Sequence, residues 1–392
     1  MSVELSTSPW LDVVGGFVAR HRPLMVRLGN LESLFLRDQI QAVRLEKPVY
    51  VAGIARSGST LLLEILNSIP VVTTHRYQDY PFLHVPYWWN TYLRMVPGKR
   101  SDPEERAHGD RIYITPESPE AMEEILWMSF FPHLHDDTQV QILDETTSHP
   151  GFERFYTDHL RKLLLVRGAT RYASKGNYNV TRLKYLQKLF PDARFVVPIR
   201  APRAHVASLV KQHRLFSAGE RANPKALAHM QRVGHYEFGL DRRVIHVGDS
   251  KLAGRIRQAW DAGRDVEGYA LLWGSVYGFL AEQLRQDQDL RECTLVLRYE
   301  DLCAEPERVL GELLRHAGLD QHTESIVQRY AGTISPPTYY EPSFTPEEEA
   351  VLDAATARVA ARFGYGSETE ADRPTPGDAA PPPSSGVQHT AH

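Results

Sequence analysis

Arg56, Ser57, Gly58, Ser59 and Thr60 fall in the stretch PVYVAGIARSGSTLLL, from Pro48 to Leu63. A guanidinium, three hydroxyls and a glycine in one short loop are the chemistry of anion binding. If the loop opens a helix, its first backbone N–H groups point at the anion and the helix dipole favours negative charge there. The flanking residues supply the elements that would position such a loop. Val49, Tyr50, Val51 and Ala52 read as a buried strand, Gly53 as a turn, and Leu61, Leu62, Leu63, Ile65 and Leu66 as the buried side of a helix. In the nucleoside triphosphate template Gly-x-x-x-x-Gly-Lys-Ser/Thr, Gly53 and Gly58 take the glycine places and Thr60 the hydroxyl place. Ser59 stands where lysine would reach the β and γ phosphates of ATP, and the nearest cation is Arg56. An ordinary structural turn is the alternative reading of this stretch.

A second block, FPDARFVVPIRAPRAHVASLV, runs from Phe190 to Val210. Phe195 to Ile199 reads as another buried strand with Arg200 at its C-terminal end, and Ser208 follows eight residues later on a helix. Arginine offers a fork of donors to a phosphate, and the serine hydroxyl adds one more. Helix capping alone is the plainer role for this pair. Lys175 lies 25 residues before Arg200, in YASKGN, just ahead of a helical run from Val180 to Phe190; a solvated loop lysine is its alternative. Strands alternating with helices, with ligand loops at strand C-termini, predict an α/β fold: a mostly parallel central sheet with helices on both faces.

In this order the two blocks resemble the sulfotransferase family that uses 3′-phosphoadenosine 5′-phosphosulfate (PAPS). The likeness covers roughly residues 48–320 and is densest at 48–66, 172–210 and 294–319. It implies that PAPS is the co-substrate, with a P-loop-like 5′-phosphosulfate-binding loop formed by Arg56, Ser57, Gly58, Ser59 and Thr60. Arg200 and Ser208 would hold the 3′-phosphate. Lys175 would contact the phosphosulfate and stabilise charge on the bridging oxygen, and Arg56 would join it in catalysis. The reaction implied is in-line transfer of a sulfuryl group to an acceptor, and it requires no metal. A base must take the acceptor's proton. Cytosolic members of the family use a histidine, and tyrosylprotein members a glutamate in the region after the loop. Here that region reads Thr74-His75-Arg76-Tyr77-Gln78-Asp79, so Asp79 is the first choice and His75 the second, with a buried capping role as the alternative for Asp79. The late Arg-Lys-Gly segment of cytosolic members has no counterpart in this chain.

The chain has 392 residues, 42% hydrophobic and 24% charged, enough to bury a sizeable core. Its formal net charge of −4 gives no basic character that would argue for a nucleic-acid partner. Cys293, at the start of an apolar strand, and Cys303, in the loop after it, make neither a disulfide framework nor a zinc quartet. With no run of 18 apolar residues and no evident signal peptide, the expectation is a cytoplasmic protein without a transmembrane segment. The expected organisation is an N-terminal helical segment (1–47), a sulfotransferase domain (48–365) and a disordered tail (366–392) rich in Pro, Ser, Ala and acidic residues.

Between the motifs, Val71 to Arg94 is dense in aromatics and interrupted by Pro81 and Pro86, so part of it must be core, and the rest reads equally as more core or as a wall for an apolar acceptor. Pro97 to Pro119 reads as a surface loop, and His133 and His135 as a surface turn. Ser217 to Arg264 reads as an insertion with short helices bordering the acceptor site. Glu300 and Asp301 resemble a catalytic carboxylate pair, but helix capping and pinning is the favoured role. The expected acceptor is a hydroxyl of a small molecule, lipid or carbohydrate. The rival readings are a P-loop kinase or NTPase, for which Asp144 is a poor acidic partner, and a nucleotide-binding scaffold without turnover.

Overall fold

The computed structural model describes residues 9–96, 104–105, 113–336 and 343–366. The tail after 366, and parts of the stretches 97–119 and 334–344, lie outside the described residues.

Five parallel strands form the central sheet: β1 (Val49–Ala52), β2 (Val72–Thr73), β5 (Arg171–Gly176), β6 (Arg194–Ile199) and β7 (Thr294–Arg298), in the order β2-β5-β1-β6-β7. In β1, Val49 pairs with Ala173 on one side and Arg194 on the other. A separate antiparallel ribbon joins β3 (Glu104–Glu105) to β4 (Tyr113–Ile114). Side chains of the sheet alternate between two cores. Val49, Val51, Ala173, Val196 and Leu297 pack with Leu62, Leu66, Leu310 and Leu314. Tyr50, Ala52, Tyr172, Phe195 and Val197 pack with Phe155, Leu160, Leu209 and Trp273. Burial on both faces explains why the strands read as continuous apolar runs rather than alternating ones.

Each core is closed by helices. On the first face lie α4 (Ser59–Asn67), α14 (Tyr299–Ala304), α15 (Pro306–Ala317) and α16 (Thr323–Tyr330). On the second lie α6 (Glu124–Phe130), α7 (Pro150–Arg167), α8 (Leu183–Leu189), α9 (Pro202–Ala222) and α12 (Asp265–Gln286), with α10 (Pro224–Val233), α11 (Ser250–Asp261), α13 (Gln288–Glu292) and α17 (Pro346–Arg362) packed around them. Local chemistry sets several boundaries. His149 accepts from Phe152 N at 3.1 Å and Pro150 opens α7, which ends at Gly168 with φ +63°. Thr345 and Glu348 form a capping box at the start of α17.

The expected N-terminal helices are α1 (Pro9–Arg20), α2 (Arg22–Phe35) and α3 (Arg37–Ala42). They are tied into the body. Lys162 on α7 donates to Glu32 Oε2 and to the Gly29 carbonyl on α2, both at 2.9 Å, and the ion pair is fully buried. A Cβ on Gly29 would lie 2.4 Å from the His84 carbonyl oxygen, so α2 packs this closely only with glycine there. The aromatic stretch is broken as its prolines predict, into β2, a 3₁₀ turn (Tyr77–Asp79) and α5 (Pro86–Met95). Two local expectations are corrected. Cys303 is in α14, not in a loop. His135 is buried, not in a surface turn, because it donates to Glu124 at 2.7 Å while Arg182 holds the same carboxylate from the other side. No helix among the described residues is long and apolar enough to cross a membrane.

From β1 the chain moves through α4 to β2 at one edge of the sheet; from β6 it moves through α9 to β7 at the other. The loops leaving the C-terminal ends of β1 and β6 therefore diverge, and the crevice between them is the topological switch point where open parallel sheets bind ligands.

Candidate active site

The loop after β1 is shaped by close packing. A Cβ on Gly53 would sit 3.0 Å from the Pro198 carbonyl oxygen of β6, and one on Gly58 would sit 2.7 Å from the Tyr299 ring. Gly58 has φ +99° and caps α4, and Arg56 has φ +72°. A left-handed arginine costs about 1–2 kcal/mol, and the loop keeps it because its neighbours fix the backbone. His205 on α9 is one of them: Nε2–H donates to the Ala55 carbonyl at 2.8 Å. Burial, reinforced by Arg200 and Arg56, pushes His205 down to about 3, so the ring is neutral and this donor is permanent.

The expected donors converge here. Lys175, at the end of β5, donates from Nζ to Thr60 Oγ1 at 3.0 Å. Arg56 donates from Nε to Ser208 Oγ at 3.3 Å, which ties the β1 loop to the second turn of α9. Arg200 leaves β6 with its guanidinium 5.3 Å from the centre of the Tyr299 ring. It is only 7% exposed, yet among the described residues it forms no ion pair or hydrogen bond. Glu300 accepts from Ala201 N at 3.0 Å and from the Tyr365 hydroxyl at 2.6 Å, so it fixes the backbone beside Arg200. The capping expected of Glu300 is not seen on α14 or α15, whose starts carry no side-chain cap; its carboxylate pins the start of α9 and the C-terminal segment instead. Ser57 is fully buried beneath the loop, and its Oγ faces Gly53. Its contribution to an anion would be its backbone N–H rather than its hydroxyl.

A family model described as the sulfotransferase family matches residues 48–246, just over half of the chain. The chain belongs to the sulfotransferase family. It is 26% identical over 194 residues to the omega-hydroxy-beta-dihydromenaquinone-9 sulfotransferase Stf3 of Mycobacterium bovis, a match that covers 48% of this chain and 39% of that protein. The Stf3 of Mycobacterium tuberculosis matches with the same figures. The match therefore spans well under half the length of these relatives. The crystal structure of sulfotransferase STF9 from Mycobacterium avium superposes with a TM-score of 0.52 at 15% identity, covering 92% of this chain and 88% of that one, so the two share the fold.

In this sulfotransferase the two residues expected as a base are held elsewhere. Asp79 accepts from Arg167 Nη2 at 2.6 and 2.7 Å, from Asn90 at 3.1 Å and from Arg76 N at 2.8 Å. Both oxygens are occupied, the group is 2% exposed, and Asp79 closes a capping box on the 3₁₀ turn. His75 is 1% exposed, between His159 Nε2 at 2.8 Å and the Tyr172 hydroxyl at 3.1 Å. Burial pushes it down to about 4.

Sequence reasoning missed His205 and Tyr299. His205 and Ser208 are three apart on one helix face, so the period of α9 carried a signal. Tyr299 carried none, because its use depends on β7 reaching the same end of the sheet. The large cleft of the sulfotransferase, about 660 Å³ and lined by Lys184, Arg194, Asp287 and Cys293, lies at the opposite, N-terminal ends of β6 and β7.

Proposed function

We propose that this sulfotransferase takes its sulfuryl group from PAPS and transfers it to a hydroxyl of an apolar, lipid-like acceptor. One observation carries the donor assignment. Arg200 is a nearly buried cation with no counter-ion among the described residues, at the C-terminal end of β6, and Arg56 meets Ser208 at the same end of the sheet. A buried charge of this kind is costly unless an anion arrives to pair with it. The residues fit such a donor at both ends. Arg200 and Ser208 would hold the 3′-phosphate, while Arg56, Thr60 and the N-terminal amides of α4 would hold the 5′-phosphosulfate. PAPS supplies the activated sulfuryl group and a good leaving phosphate. Lys175, held against Thr60, would stabilise charge as it develops on the bridging oxygen.

The lipid-like acceptor is supported by the aromatic stretch, where Trp89 stacks on Tyr92 at 5.4 Å and Tyr92 stays exposed. The Stf3 relatives, omega-hydroxy-beta-dihydromenaquinone-9 sulfotransferases, point the same way. A kinase reading lacks the lysine at position 59, and Lys175 comes from a neighbouring strand instead. The test is incubation of the purified protein with PAPS and, in turn, farnesol, p-nitrophenol and glucose, with mass spectrometry for the sulfate ester. Sulfated farnesol with no magnesium added is the expected product. Phosphoryl transfer from Mg-ATP without any sulfation would overturn the reading.

A further inference from the structure

The assignment of PAPS as donor leaves the acceptor's proton without a receiver, since Asp79 and His75 are both engaged in the core. The segment after α10 offers one. Gly234 ends α10 with φ +80°, and a Cβ there would lie 2.5 Å from Glu124 Cγ, so the backbone turns tightly against α6. The next residue, His235, is thereby set at a fixed point. Its Nδ1 lies 3.4 Å from Glu237 Oε2, and Glu237 Oε1 accepts from Asn177 Nδ2 at 2.5 Å. Asn177 directly follows β5, the strand that carries Lys175. Lys175, Asn177, His235 and Glu237 line a single cleft, so the imidazole shares a cavity with the lysine that touches the loop hydroxyl of Thr60.

The chemistry of the pair is that of an oriented base. Glu237 is 6% exposed, and His235 and Asn177 keep it ionised against the cost of burial. A carboxylate at Nδ1 selects the tautomer with hydrogen on Nδ1 and the lone pair on Nε2. Nε2 makes no hydrogen bond among the described residues, and the side chain remains 24% exposed. Four groups act on the ring's charge. Burial pulls its pKa down, but Glu237 and, more weakly, Glu120 outweigh it and hold it above the ordinary histidine value; Lys175 opposes them. His229, on α10, faces it as well.

We propose that His235, oriented by Glu237, is the general base of the transfer. The acceptor O–H bond breaks and its proton passes to Nε2. The oxygen's electron pair forms the new O–S bond, while the S–O bond to phosphate breaks and its pair leaves on 3′,5′-ADP. The protonated ring then returns the proton to solvent at its exposed edge. Lys175, in the same cleft, is placed to meet the leaving oxygen. Neither residue lies within the motifs that carry the donor, which is why the pair could not be read from them.

The proposal rests on the PAPS reading, and its test separates the two. kcat and kcat/KM are measured from pH 5 to 9 for wild type, His235→Gln, His235→Ala and Glu237→Gln, with whichever of farnesol, p-nitrophenol and glucose the wild type sulfates fastest. Affinity for 3′,5′-ADP, measured by calorimetry, serves as the control for folding and donor binding. The expected result is a roughly 10²–10⁴-fold loss of kcat in both His235 variants, with 3′,5′-ADP affinity close to wild type. In Glu237→Gln the acid limb of kcat/KM moves to lower pH, because the anion that raises the histidine's pKa is gone. Wild-type kcat in His235→Gln, or an acid limb unmoved in Glu237→Gln, overturns the base assignment and leaves the donor reading standing. A wild type that neither transfers from PAPS nor binds 3′,5′-ADP overturns both.

Discussion

Arg200, Asp79 and Arg167 show how neighbours decide the use of a charge. Arg167 and Asp79 neutralise each other in the core, 7% and 2% exposed, while Arg200 at similar burial pairs with no described carboxylate. The first arrangement is satisfied within the core, and the second is the basis of the proposed donor site. Asp79→Asn is therefore expected to act on stability: it leaves a buried guanidinium without its counter-ion, a change that costs about 3–5 kcal/mol. Urea denaturation should show this as a lower midpoint. If Asp79→Asn instead kept wild-type stability and lost only turnover, the capping role would be wrong. The sequence could not reveal this difference, because Arg167 stands 88 residues after Asp79 and His159 stands 84 after His75. Arg200 stood out in the sequence because it ends an apolar strand and Ser208 follows eight residues later on the next helix.

At the scale of elements, the strand–loop–helix from Val49 to Asn67 depends on Gly58, with φ +99° and no room for a Cβ against Tyr299. Gly58→Ala must pay about 1–2 kcal/mol for the left-handed backbone and also displace the Tyr299 ring, on which Arg200 stacks. It should weaken 3′,5′-ADP binding at least tenfold, as read by calorimetry, in a protein whose near-ultraviolet circular dichroism stays native. Unchanged binding would mean that the loop can reshape around a methyl group. This element was legible for a physical reason: a strand buried on both faces must be apolar throughout, and a tight turn must place its glycines at fixed intervals. The prolines of the aromatic stretch were equally direct, since Pro86 begins α5. His135 was not legible, because its burial follows from Glu124 and Arg182, which meet only after α6 and the β5–α8 connection have packed.

Across the molecule, buried histidines couple folding to pH. Burial pushes His84 and His205 down to about 3, and His75 down to about 4. Each is neutral when folded but titrates near 6.5 when unfolded. Their contribution is therefore complete above pH 6.5 and is lost as pH falls toward the folded values. The loss is about 1.4 kcal/mol per pH unit for each histidine. Denaturant midpoints should fall steeply from pH 6.5 to 5 and stay flat, as far as these groups are concerned, from 7 to 8. A midpoint unchanged between pH 7 and 5 would contradict their burial. Net charge gave no hint of this sensitivity, since −4 over 392 residues records composition rather than placement. What composition did convey was a core large enough for two layers of helices.

The donor assignment is tested most directly by calorimetric titration of wild type and Arg200→Ala with 3′,5′-ADP. The expected result is micromolar binding by the wild type, weakened in the variant by about 1.5–3 kcal/mol, as for a hydrogen bond to a charged group. A wild type that ignores 3′,5′-ADP and binds Mg-ATP would contradict it.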